Sequence, residues 1–514
     1  MPKAPLRNSL KIKYLRLFQP YLILALAFLL LMVKINKPFI GHHDWNGAFW
    51  GTITKNYIYH IHTAIPLLGV QHEVPYIHNQ FIYFAHYTPL LPIFFTITSL
   101  FLGVNELSLR LTTVFFSIVM LLYLYKIACL LYDKKIALFS IIFATATPMF
   151  LYFGKLPDHE PVITSLITIS YYYYLKLESY NKKTYLIFLA FLSLVLLESW
   201  AGFIYLITLV FFGIFVQKKK LGFFIPTIGI GLSVILLHLF FLYSFYGPEA
   251  ISSFITSGVG RISANANTGY VVKYRALQFL NTEGHYFVIY FTRILAILTL
   301  IWVVGIFVSA KKKRINASDL KLLPLAIFAM IFILVFNDLA FIHDYKLYLF
   351  LPFISIASAQ IIVKILTKIL KRKRSNKVNL VVLYTISVLI IIGVFTERIQ
   401  FLNTLLYTSF NQPGYDLGKY LNSITSPNDQ VLIDSRQFHS FFDVFEEYYS
   451  NRGLTGSDIS LDEFKRNFSS ASNYRFIVLI DGRTTDKSLQ DYLDQNYEVY
   501  RQKGFTAYDL SKKR

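Results

Sequence analysis

Residues 107–130 read LSLRLTTVFFSIVMLLYLYKIACL, an apolar run in which Arg110 and Lys126 are the only charged side chains. A helix that spans a membrane needs about 20 mostly apolar residues, so this run predicts a transmembrane helix. Ten comparable runs occur elsewhere in the chain, at 17–33, 136–153, 161–178, 184–200, 202–217, 221–243, 286–309, 320–337, 346–366 and 378–396. The sequence therefore predicts a polytopic α-helical membrane protein with about eleven transmembrane helices.

The composition agrees with that class and excludes others. Of the 514 residues, 55% are hydrophobic and 15% are charged, whereas an ordinary soluble domain has about 25% charged residues. Such a chain is too apolar for a soluble enzyme or for a disordered protein. Cys129 is the single cysteine, which excludes a disulfide-stabilised scaffold.

The distribution of charge bears on both partners and topology. The net charge is +21, but residues 397–514 carry 14 basic and 16 acidic side chains, so the excess positive charge belongs to residues 1–396. It falls in short clusters between the apolar runs, as in the cytoplasmic loops of membrane proteins. No basic face with interleaved aromatic residues stands out in the sequence, so we expect no nucleic-acid partner.

A shorter apolar stretch at 88–103 carries Pro89 and Pro92 near its start, and its placement sets the topology. If it does not span and the N-terminus is cytoplasmic, the later basic clusters all lie in the cytoplasm, as the positive-inside rule requires. These clusters are Lys134–Lys135, Lys182–Lys183, Lys218–Lys220, Lys311–Arg314 and Lys368–Lys377. We therefore predict an interfacial or re-entrant helix at 88–103 and a cytoplasmic N-terminus.

This topology places two large loops, 34–106 and 244–285, on the extracytoplasmic side of a transmembrane domain formed by residues 1–396. Residues 397–514 follow on the same side and have the pattern of a small α/β domain. The predicted elements of that domain are strands at 431–434 and 476–481, helices at 415–424 and 442–449, and a hairpin over 497–510 around Gly504.

Two acidic residues on the predicted outer face are candidates for catalysis. Asp44 follows the first span, within Gly41-His42-His43-Asp44-Trp45-Asn46, and Asp158 stands in the short loop before the span 161–178. Carboxylates near a bilayer usually face a cavity or a partner. The structural alternative is a solvated acid or helix cap for Asp44 and a helix cap for Asp158. The functional alternative is a general base at the membrane surface, or a rigidly mounted functional group.

Basic and polar side chains on the same predicted face are candidates for binding a phosphate group. Arg110 lies about one turn inside its span, where it either snorkels to the interface or clamps an anion. The others either bind phosphate or anchor the chain to the interface and to anionic lipids. They are His343, Asp344, Tyr345 and Lys346 before the span 346–366, and Arg261, Lys273 and Arg275 in the loop 244–285.

A metal centre is a further alternative. His42 and His43 together with Asp44 offer ligands for a divalent cation, but adjacent histidines rarely converge on one ion in a regular element. The sequence has no Walker loop, no dinucleotide fingerprint and no zincin helix. It therefore requires no cofactor, and a divalent metal is left open.

In their order and spacing these residues resemble the GT-C glycosyltransferases, and among them family 39, with the protein O-mannosyltransferases and the aminoarabinose transferases that modify lipid A. The resemblance covers about residues 15–365. Asp44 matches the catalytic acid of the first outer loop, although Trp45 stands where the family usually has Glu. The further matches are His86-Tyr87-Thr88-Pro89-Leu90 to a His-Pro-Pro-Leu element, Glu106 with Arg110-Leu111 to an acidic-x-x-x-Arg-Leu pattern, Asp158 to the second loop acid, and His343-Asp344-Tyr345 with Pro352 to a late His-x-Tyr element.

The resemblance implies a GT-C fold and the transfer of a sugar from a polyprenyl-phosphate donor to a lipid, glycan or protein acceptor outside the cytoplasm, with inversion. Asp44 and Asp158 would be the catalytic residues, with Asp44 as the base. His86 and the basic and polar residues named above would bind the donor phosphate or the substrate. Two other classes remain as alternatives: a transporter or flippase of lipid-linked glycans, and a non-catalytic scaffold for envelope assembly.

Overall fold

A computed structural model of the chain describes residues 6–60, 86–179, 181–262, 274–372, 376–426, 429–434, 443–457, 459–468, 474–480 and 486–514. Its α-helices are α1 (Leu6–Leu31), α2 (Trp45–Tyr59), α3 (Leu90–Leu102), α4 (Glu106–Leu131), α5 (Lys134–Thr145), α6 (His159–Lys176), α7 (Lys182–Glu198), α8 (Ala201–Phe211), α9 (Ile225–Tyr246), α10 (Pro248–Ile262), α11 (Ala276–Lys311), α12 (Ala317–Leu320), α13 (Leu323–Val335), α14 (Asn337–Ile342), α15 (Leu351–Arg372), α16 (Asn376–Thr396), α17 (Ile399–Tyr407), α18 (Gln412–Ile424), α19 (Asp443–Ser450), α20 (Leu461–Glu463) and α21 (Lys487–Asn496). Its strands are β1 (Gln430–Asp434), β2 (Gly453–Ser457), β3 (Tyr474–Ile480), β4 (Tyr497–Gln502) and β5 (Phe505–Lys513).

The chain divides into two compact units. The first unit comprises Met1–Ile35, Ala85–Leu91 and Leu111–Leu406. The second comprises Asn36–Phe84, Pro92–Arg110 and Tyr407–Arg514. The second unit thus takes its residues from the loop after the first predicted span as well as from the C-terminal part of the chain.

Each of the eleven predicted spans contains a helix. Six helical segments of the described chain are both long and apolar enough to cross a membrane: Glu106–Leu131, Ile225–Ser244, Ala276–Lys311, Ala317–Val335, Asp344–Lys368 and Thr385–Ile424. Other predicted spans are interrupted, because α5 ends before Pro148 and a π-helical turn, Met149–Phe153, follows it. Pro148 cannot donate the backbone hydrogen bond that would continue α5. A second π-helical turn, Phe212–Val216, follows α8.

Two further helices depart from simple spans. Helix α3, in the stretch 88–103, has 13 residues, fewer than the about 20 that a spanning helix needs, as expected for an interfacial or re-entrant segment. Helix α11 is kinked at Thr292, whose φ of 69° is left-handed. The carboxylate of Glu397 accepts hydrogen bonds from the backbone N–H groups of Arg293 (2.9 Å) and Ile294 (3.4 Å). Glu397 thereby caps the part of the helix beyond the kink.

The second unit contains a five-stranded mixed sheet with the order β2-β1-β3-β5-β4. Strand β1 is parallel to β2 and β3, while β5 is antiparallel to β3 and β4. Side chains alternate between the two faces of a strand. Val431 and Ile433 therefore pack with Leu417 of α18, while Leu432 packs with Leu489 of α21 in a second core. This is the small α/β sheet that the sequence predicts at the C-terminal end.

The elements predicted for residues 397–514 are confirmed, with described ends shifted by one to three residues; positions 442 and 481 lie outside the described residues. The predicted hairpin turns at Gly504, whose φ of 98° favours glycine. Strand β2 and helices α17, α20 and α21 were not predicted. The sequence of β2, Gly-Leu-Thr-Gly-Ser, has low strand propensity, and its pairing with β1 stabilises it instead.

Candidate active site

Asp44 stands at the N-terminus of α2 but does not cap that helix. It occupies the capping position and makes no side-chain hydrogen bond to the helix. Its Oδ1 instead forms an ion pair with Nη2 of Arg110 at 3.1 Å, and its Oδ2 accepts the backbone N–H of Gly41 at 2.7 Å. The residue is only 5% exposed. Asp44 is therefore neither a solvated loop acid nor a cap, and its carboxylate is held in a fixed orientation.

Arg110 supplies the positive side of this pair. It lies one turn into α4 and is buried, so its guanidinium does not snorkel to a surface. Besides Asp44, it donates a hydrogen bond to the carbonyl oxygen of Lys37, and it lies 4.7 Å over the ring of Phe39. Arg110 thus contacts the loop that leads to Asp44 at three positions. We name that loop, residues 37–44, the Asp44 loop.

His42 and His43 lie half-buried in the Asp44 loop, with ring centroids 4.0 Å apart. His43 has a left-handed φ of 57°, a backbone conformation that is uncommon for a residue other than glycine. The turn brings both imidazoles to the same side, so two nitrogen ligands are available close together. The two histidines therefore fit the metal site that the sequence leaves open. The Asp44 oxygens, by contrast, bond to Arg110 and Gly41.

Asp158, in the first unit, uses its carboxylate differently. It caps α6, and its Oδ1 accepts the backbone N–H of His159 at 2.8 Å. Burial by itself raises the pKa of Asp158, but the Lys346 ammonium, His159 and the hydrogen bond at the cap outweigh it, so the pKa lies below its usual value. Asp158 is therefore held as a carboxylate.

A buried ion pair and a buried His–Glu pair surround Asp158. Lys346 donates a hydrogen bond to Oε1 of Glu160, and Nδ1 of His159 lies 2.9 Å from Oε1 of Glu198. All four side chains are at most 5% exposed. The second carboxylate oxygens of Glu160 and Glu198 have no hydrogen-bond partner within the described part of the chain. We call these five residues, including Asp158, the Asp158 cluster.

The predicted element at 86–90 lies beside this cluster within the first unit. The ring of Tyr87 packs against that of His159, with centroids 4.3 Å apart and an angle of 32° between the planes. The carbonyl oxygen of His86 accepts the indole N–H of Trp200 at 2.7 Å, and the hydroxyl of Thr88 donates to the carbonyl of Leu197. His86 is thus fastened by its backbone, and its imidazole is half-buried.

The segment His343 to Lys346 is also built into the first unit. Asp344 begins a 3₁₀-helix, Asp344–Phe350, and accepts a hydrogen bond from the Tyr290 hydroxyl. Tyr345 is buried, with its ring 5.1 Å from that of His343. Lys346 is the residue of this segment that reaches the Asp158 cluster.

The basic residues predicted in the loop 244–285 fall in different surroundings. Arg261 lies in α10, whose helical bounds Pro248–Ile262 occupy part of the predicted loop. Arg275 is exposed at the start of α11. Lys273 lies outside the described residues.

The sequence analysis does not single out several residues that contact the candidate residues in each unit. Glu198 is an isolated acid near the end of the predicted span 184–200, and the cost of a carboxylate near a membrane is the signal that could identify it. Glu160 lies two residues from Asp158, in a stretch that the sequence predicts as a loop. Tyr290 and Tyr449 carry no local signal, because tyrosine is common at membrane interfaces and the chain has 37 of them.

The chain was compared with known proteins. Residues 86–243 match the family described as dolichyl-phosphate-mannose-protein mannosyltransferase. No protein of curated function matches the chain significantly in sequence.

Several solved structures share the fold over nearly the whole chain. ArnT from Cupriavidus metallidurans bound to undecaprenyl phosphate matches with a TM-score of 0.68 and 11% identity, over 95% of this chain and 97% of that chain. The oligosaccharyltransferase of Archaeoglobus fulgidus in complex with Zn and sulfate matches with a TM-score of 0.58 and 15% identity, over 95% and 73%. The arabinofuranosyltransferase AftD from Mycobacteria matches with a TM-score of 0.51 and 11% identity, over 96% and 40%.

These matches confirm the predicted fold class, a polytopic membrane protein with a small C-terminal α/β domain. They also confirm the resemblance inferred from the order of the motifs. The chain therefore has the fold of the GT-C membrane glycosyltransferases.

Proposed function

We propose that this chain is a multi-pass membrane glycosyltransferase that moves a sugar from a polyprenyl-phosphate donor to an acceptor hydroxyl or phosphate on the extracytoplasmic side. The matched family is named for dolichyl-phosphate-mannose. The matched ArnT structure contains undecaprenyl phosphate, and another matched structure of the Archaeoglobus fulgidus oligosaccharyltransferase contains a dolichol-phosphate. A polyprenyl-phosphate sugar is the donor class consistent with all of these. The acceptor class is a lipid, glycan or protein.

The observation that carries this proposal is the Asp44 carboxylate. It is buried, it is fixed by Arg110 and by the N–H of Gly41, and it does not cap its helix. A carboxylate has about four lone-pair sites, so each oxygen keeps acceptor capacity for a substrate proton. A fixed carboxylate with spare acceptor capacity is suited to act as a general base.

The proposed reaction is a direct displacement. The acceptor oxygen attacks the anomeric carbon of the donor sugar while Asp44 takes the acceptor proton. The bond between that carbon and the phosphate oxygen breaks, and its electron pair leaves with the polyprenyl phosphate. One bond forms and one breaks at the same carbon, which inverts the configuration. Positive charge near the leaving phosphate stabilises this step.

We propose that the remaining predicted basic residues bind the phosphate of the donor. Arg110 is paired with Asp44 and Lys346 with Glu160, so these two cations act through their carboxylates. Arg275 is exposed at the start of α11 and is the described basic residue of the loop 244–285 that we propose to meet the phosphate. Within the first unit, Asp158 caps α6 in a buried cluster, and we propose that it is a second functional carboxylate and that His86 and Tyr345 bind the donor.

A divalent metal is compatible with the site. Among the matched structures, the Archaeoglobus fulgidus protein was solved with Zn. In this chain His42 and His43 would supply imidazole ligands, and the cation would add positive charge for the phosphate. Every proton transfer in the proposal remains with Asp44.

The test is sugar transfer in membranes that contain the wild type or Asp44→Asn, supplied with a panel of radiolabelled polyprenyl-phosphate sugars. We expect the wild type to consume one donor and form labelled product, and Asp44→Asn to lose both at equal protein level. The control is Asp133→Asn, because Asp133 caps α5 with hydrogen bonds from Lys135 and Ile136 and lies on the predicted cytoplasmic side. Equal transfer by Asp44→Asn would remove Asp44 as the base.

The transporter and scaffold alternatives are not favoured. The matched family and the matched structures named here are glycosyltransferases. A flippase or a scaffold has no need of one carboxylate for covalent transfer. If the wild type consumed no donor, this result would contradict the transferase proposal and favour the transporter and scaffold classes.

A further inference from the structure

The Asp44 loop is fastened by the C-terminal segment, residues 408–514, within the second unit. The carbonyl oxygen of Ile40 accepts the backbone N–H groups of Phe410 (2.7 Å) and Asn411 (3.0 Å). The ammonium of Lys37 donates to the carbonyl oxygen of Thr408 at 2.6 Å. The loop that carries the proposed base is thus hydrogen-bonded to a part of the chain more than 360 residues away.

Tyr449 of α19 makes a second connection to this loop. Its hydroxyl accepts the backbone N–H of Phe39 at 2.6 Å and donates to Oε1 of Glu106 at 2.7 Å. Glu106 lies in the first turn of α4, one turn before Arg110. One phenol oxygen therefore links the Asp44 loop, the helix that carries Arg110, and the C-terminal segment.

The position of Phe39 bears directly on the Asp44 ion pair. The guanidinium of Arg110 lies over the ring of Phe39 at 4.7 Å, and Arg110 donates to the Lys37 carbonyl two residues earlier. The Phe39 ring also packs against Tyr448 of α19 at 5.4 Å. A shift of Phe39 would therefore move the surface on which Arg110 lies, and with it the orientation of Asp44.

The contact between α2 and α19 requires small residues. A Cβ atom at Gly51 would lie 2.3 Å from the Tyr448 ring, and one at Gly47 would lie 2.4 Å from the Phe39 ring. Lys55, one turn beyond Gly51, donates to the carbonyl oxygen of Tyr448 and lies 4.1 Å over its ring. Gly51 lets α2, which begins next to Asp44, approach α19 closely, and Gly47 lets it approach Phe39 of the Asp44 loop.

We propose that Tyr449 is a positioning residue for Asp44 and that the C-terminal segment is needed to hold the catalytic loop. This inference rests on the proposed function, since it takes Asp44 as the base. Tyr449 touches no reacting atom. It acts by fixing the Phe39 peptide and Glu106 relative to one another, which sets the geometry of the Arg110–Asp44 pair.

The experiment measures kcat and the donor KM for Tyr449→Phe, with the donor that the wild type consumes and with rates normalised to folded protein. The substitution keeps the buried ring and removes the hydroxyl that joins Phe39 to Glu106. We expect kcat to fall by about tenfold to a hundredfold, because small misplacements of a catalytic group have effects of this size. The donor KM should stay nearly constant, since Tyr449 is not proposed to contact the donor.

Substitutions of Glu106 separate positioning from general loss of structure. Glu106→Gln keeps an oxygen that accepts from the Tyr449 hydroxyl and should retain most of kcat, whereas Glu106→Ala should lose as much as Tyr449→Phe. The double variant Tyr449→Phe/Glu106→Ala should lose no more than either single variant, because both break the same connection. Equal losses for Glu106→Gln and Glu106→Ala, or additive losses in the double variant, would overturn the inference.

The matched control is Tyr508→Phe. Tyr508 of β5 is also a buried tyrosine of the C-terminal segment, and its hydroxyl lies 3.3 Å from Oδ1 of Asp494 in α21. We expect this variant to keep the kcat of the wild type. Wild-type kcat in Tyr449→Phe, together with an inactive Asp44→Asn, would overturn the positioning role alone. An active Asp44→Asn would instead contradict the proposed function.

Discussion

Asp44 and Asp158 stand at the same kind of position in two different units, the residue before the first turn of a helix. Asp158 takes the backbone N–H of His159 and caps α6. Asp44 makes no side-chain hydrogen bond to the N–H groups of α2 and bonds instead to Arg110 and to the N–H of Gly41. The same residue type at the same helix position therefore caps a helix in one unit and pairs with an arginine in the other.

The surroundings of Asp44 and Asp158 also differ. Among the described residues, Asp44 forms its ion pair with Arg110, and the Ile40 carbonyl of its loop accepts two backbone N–H groups. Asp158 belongs to a cluster in which Lys346, Glu160, His159 and Glu198 form two further buried pairs. A dense buried network rigidifies a structure when it is intact and is costly to break. We therefore expect Asp44 variants to affect rate most and Asp158 cluster variants to affect stability most.

The prediction with the largest expected effect tests whether Asp44 acts as a general base or only as the counter-ion of Arg110. Asp44→Asn should lower kcat by about 10²-fold to 10⁴-fold, the usual contribution of a general base, and it also leaves the Arg110 charge buried without a counter-ion. The double variant Asp44→Asn/Arg110→Met should regain stability and remain inactive, because buried pairs can be replaced by apolar groups. Thermal unfolding in detergent and sugar transfer measure the two effects. Recovery of transfer in the double variant would show that Asp44 only neutralises Arg110.

The next effect concerns the Asp158 cluster. Lys346→Met should lower the free energy of unfolding by about 3–5 kcal/mol, since it leaves a buried carboxylate without its cation. The double variant Lys346→Met/Glu160→Gln removes both charges of the pair and should recover part of that loss, because Asp158 still lacks the Lys346 ammonium. Denaturant unfolding in detergent measures both variants. A loss of transfer with no loss of stability in Lys346→Met would assign Lys346 to the substrate rather than to the cluster.

A smaller effect is expected for the cap itself. Asp158→Asn should cost about 1 kcal/mol of unfolding free energy and should lower kcat far less than Asp44→Asn. Because the folded pKa of Asp158 lies below its unfolded value, the carboxylate stabilises the fold above about pH 4 and loses this contribution at lower pH. The stability difference between wild type and Asp158→Asn should therefore shrink on acidification below pH 4. An equal loss of kcat in both aspartate variants would erase the contrast between the two acids.

The last prediction concerns only the pH dependence of stability, through Lys55, which is half-buried in the second unit. Burial lowers its pKa to about 7, although Glu106 opposes the shift, and Lys419 and Arg452 add to it. Between about pH 7 and pH 10.5 the unfolded chain binds this proton and the folded chain does not, so folding stability should rise with pH across that window. Lys55→Met should flatten this rise, as unfolding measured from pH 6 to pH 10 would show. An unchanged pH dependence would mean that Lys55 remains charged in the fold.

Much of the transmembrane part was predictable because a bilayer constrains the chain locally. Apolar length marks the spans, and a helix lies in each predicted one. Asp44 and Asp158 were predictable as candidates because a carboxylate near a membrane is costly. Strand β2 was not, because its stability comes from pairing with β1 rather than from its own residues.

The sequence by itself determined the membrane class, the helices, the α/β pattern of the C-terminal segment and the acids worth testing, since these depend on local composition and periodicity. Only the tertiary structure decided that Arg110 pairs with Asp44, that Lys346 pairs with Glu160, and that Tyr449 reaches the Asp44 loop. Such pairings join residues 66 to 410 positions apart. Hydrogen bonds and ion pairs act over about 3 Å, so they depend on where the folded chain brings two groups together, and no local pattern records that.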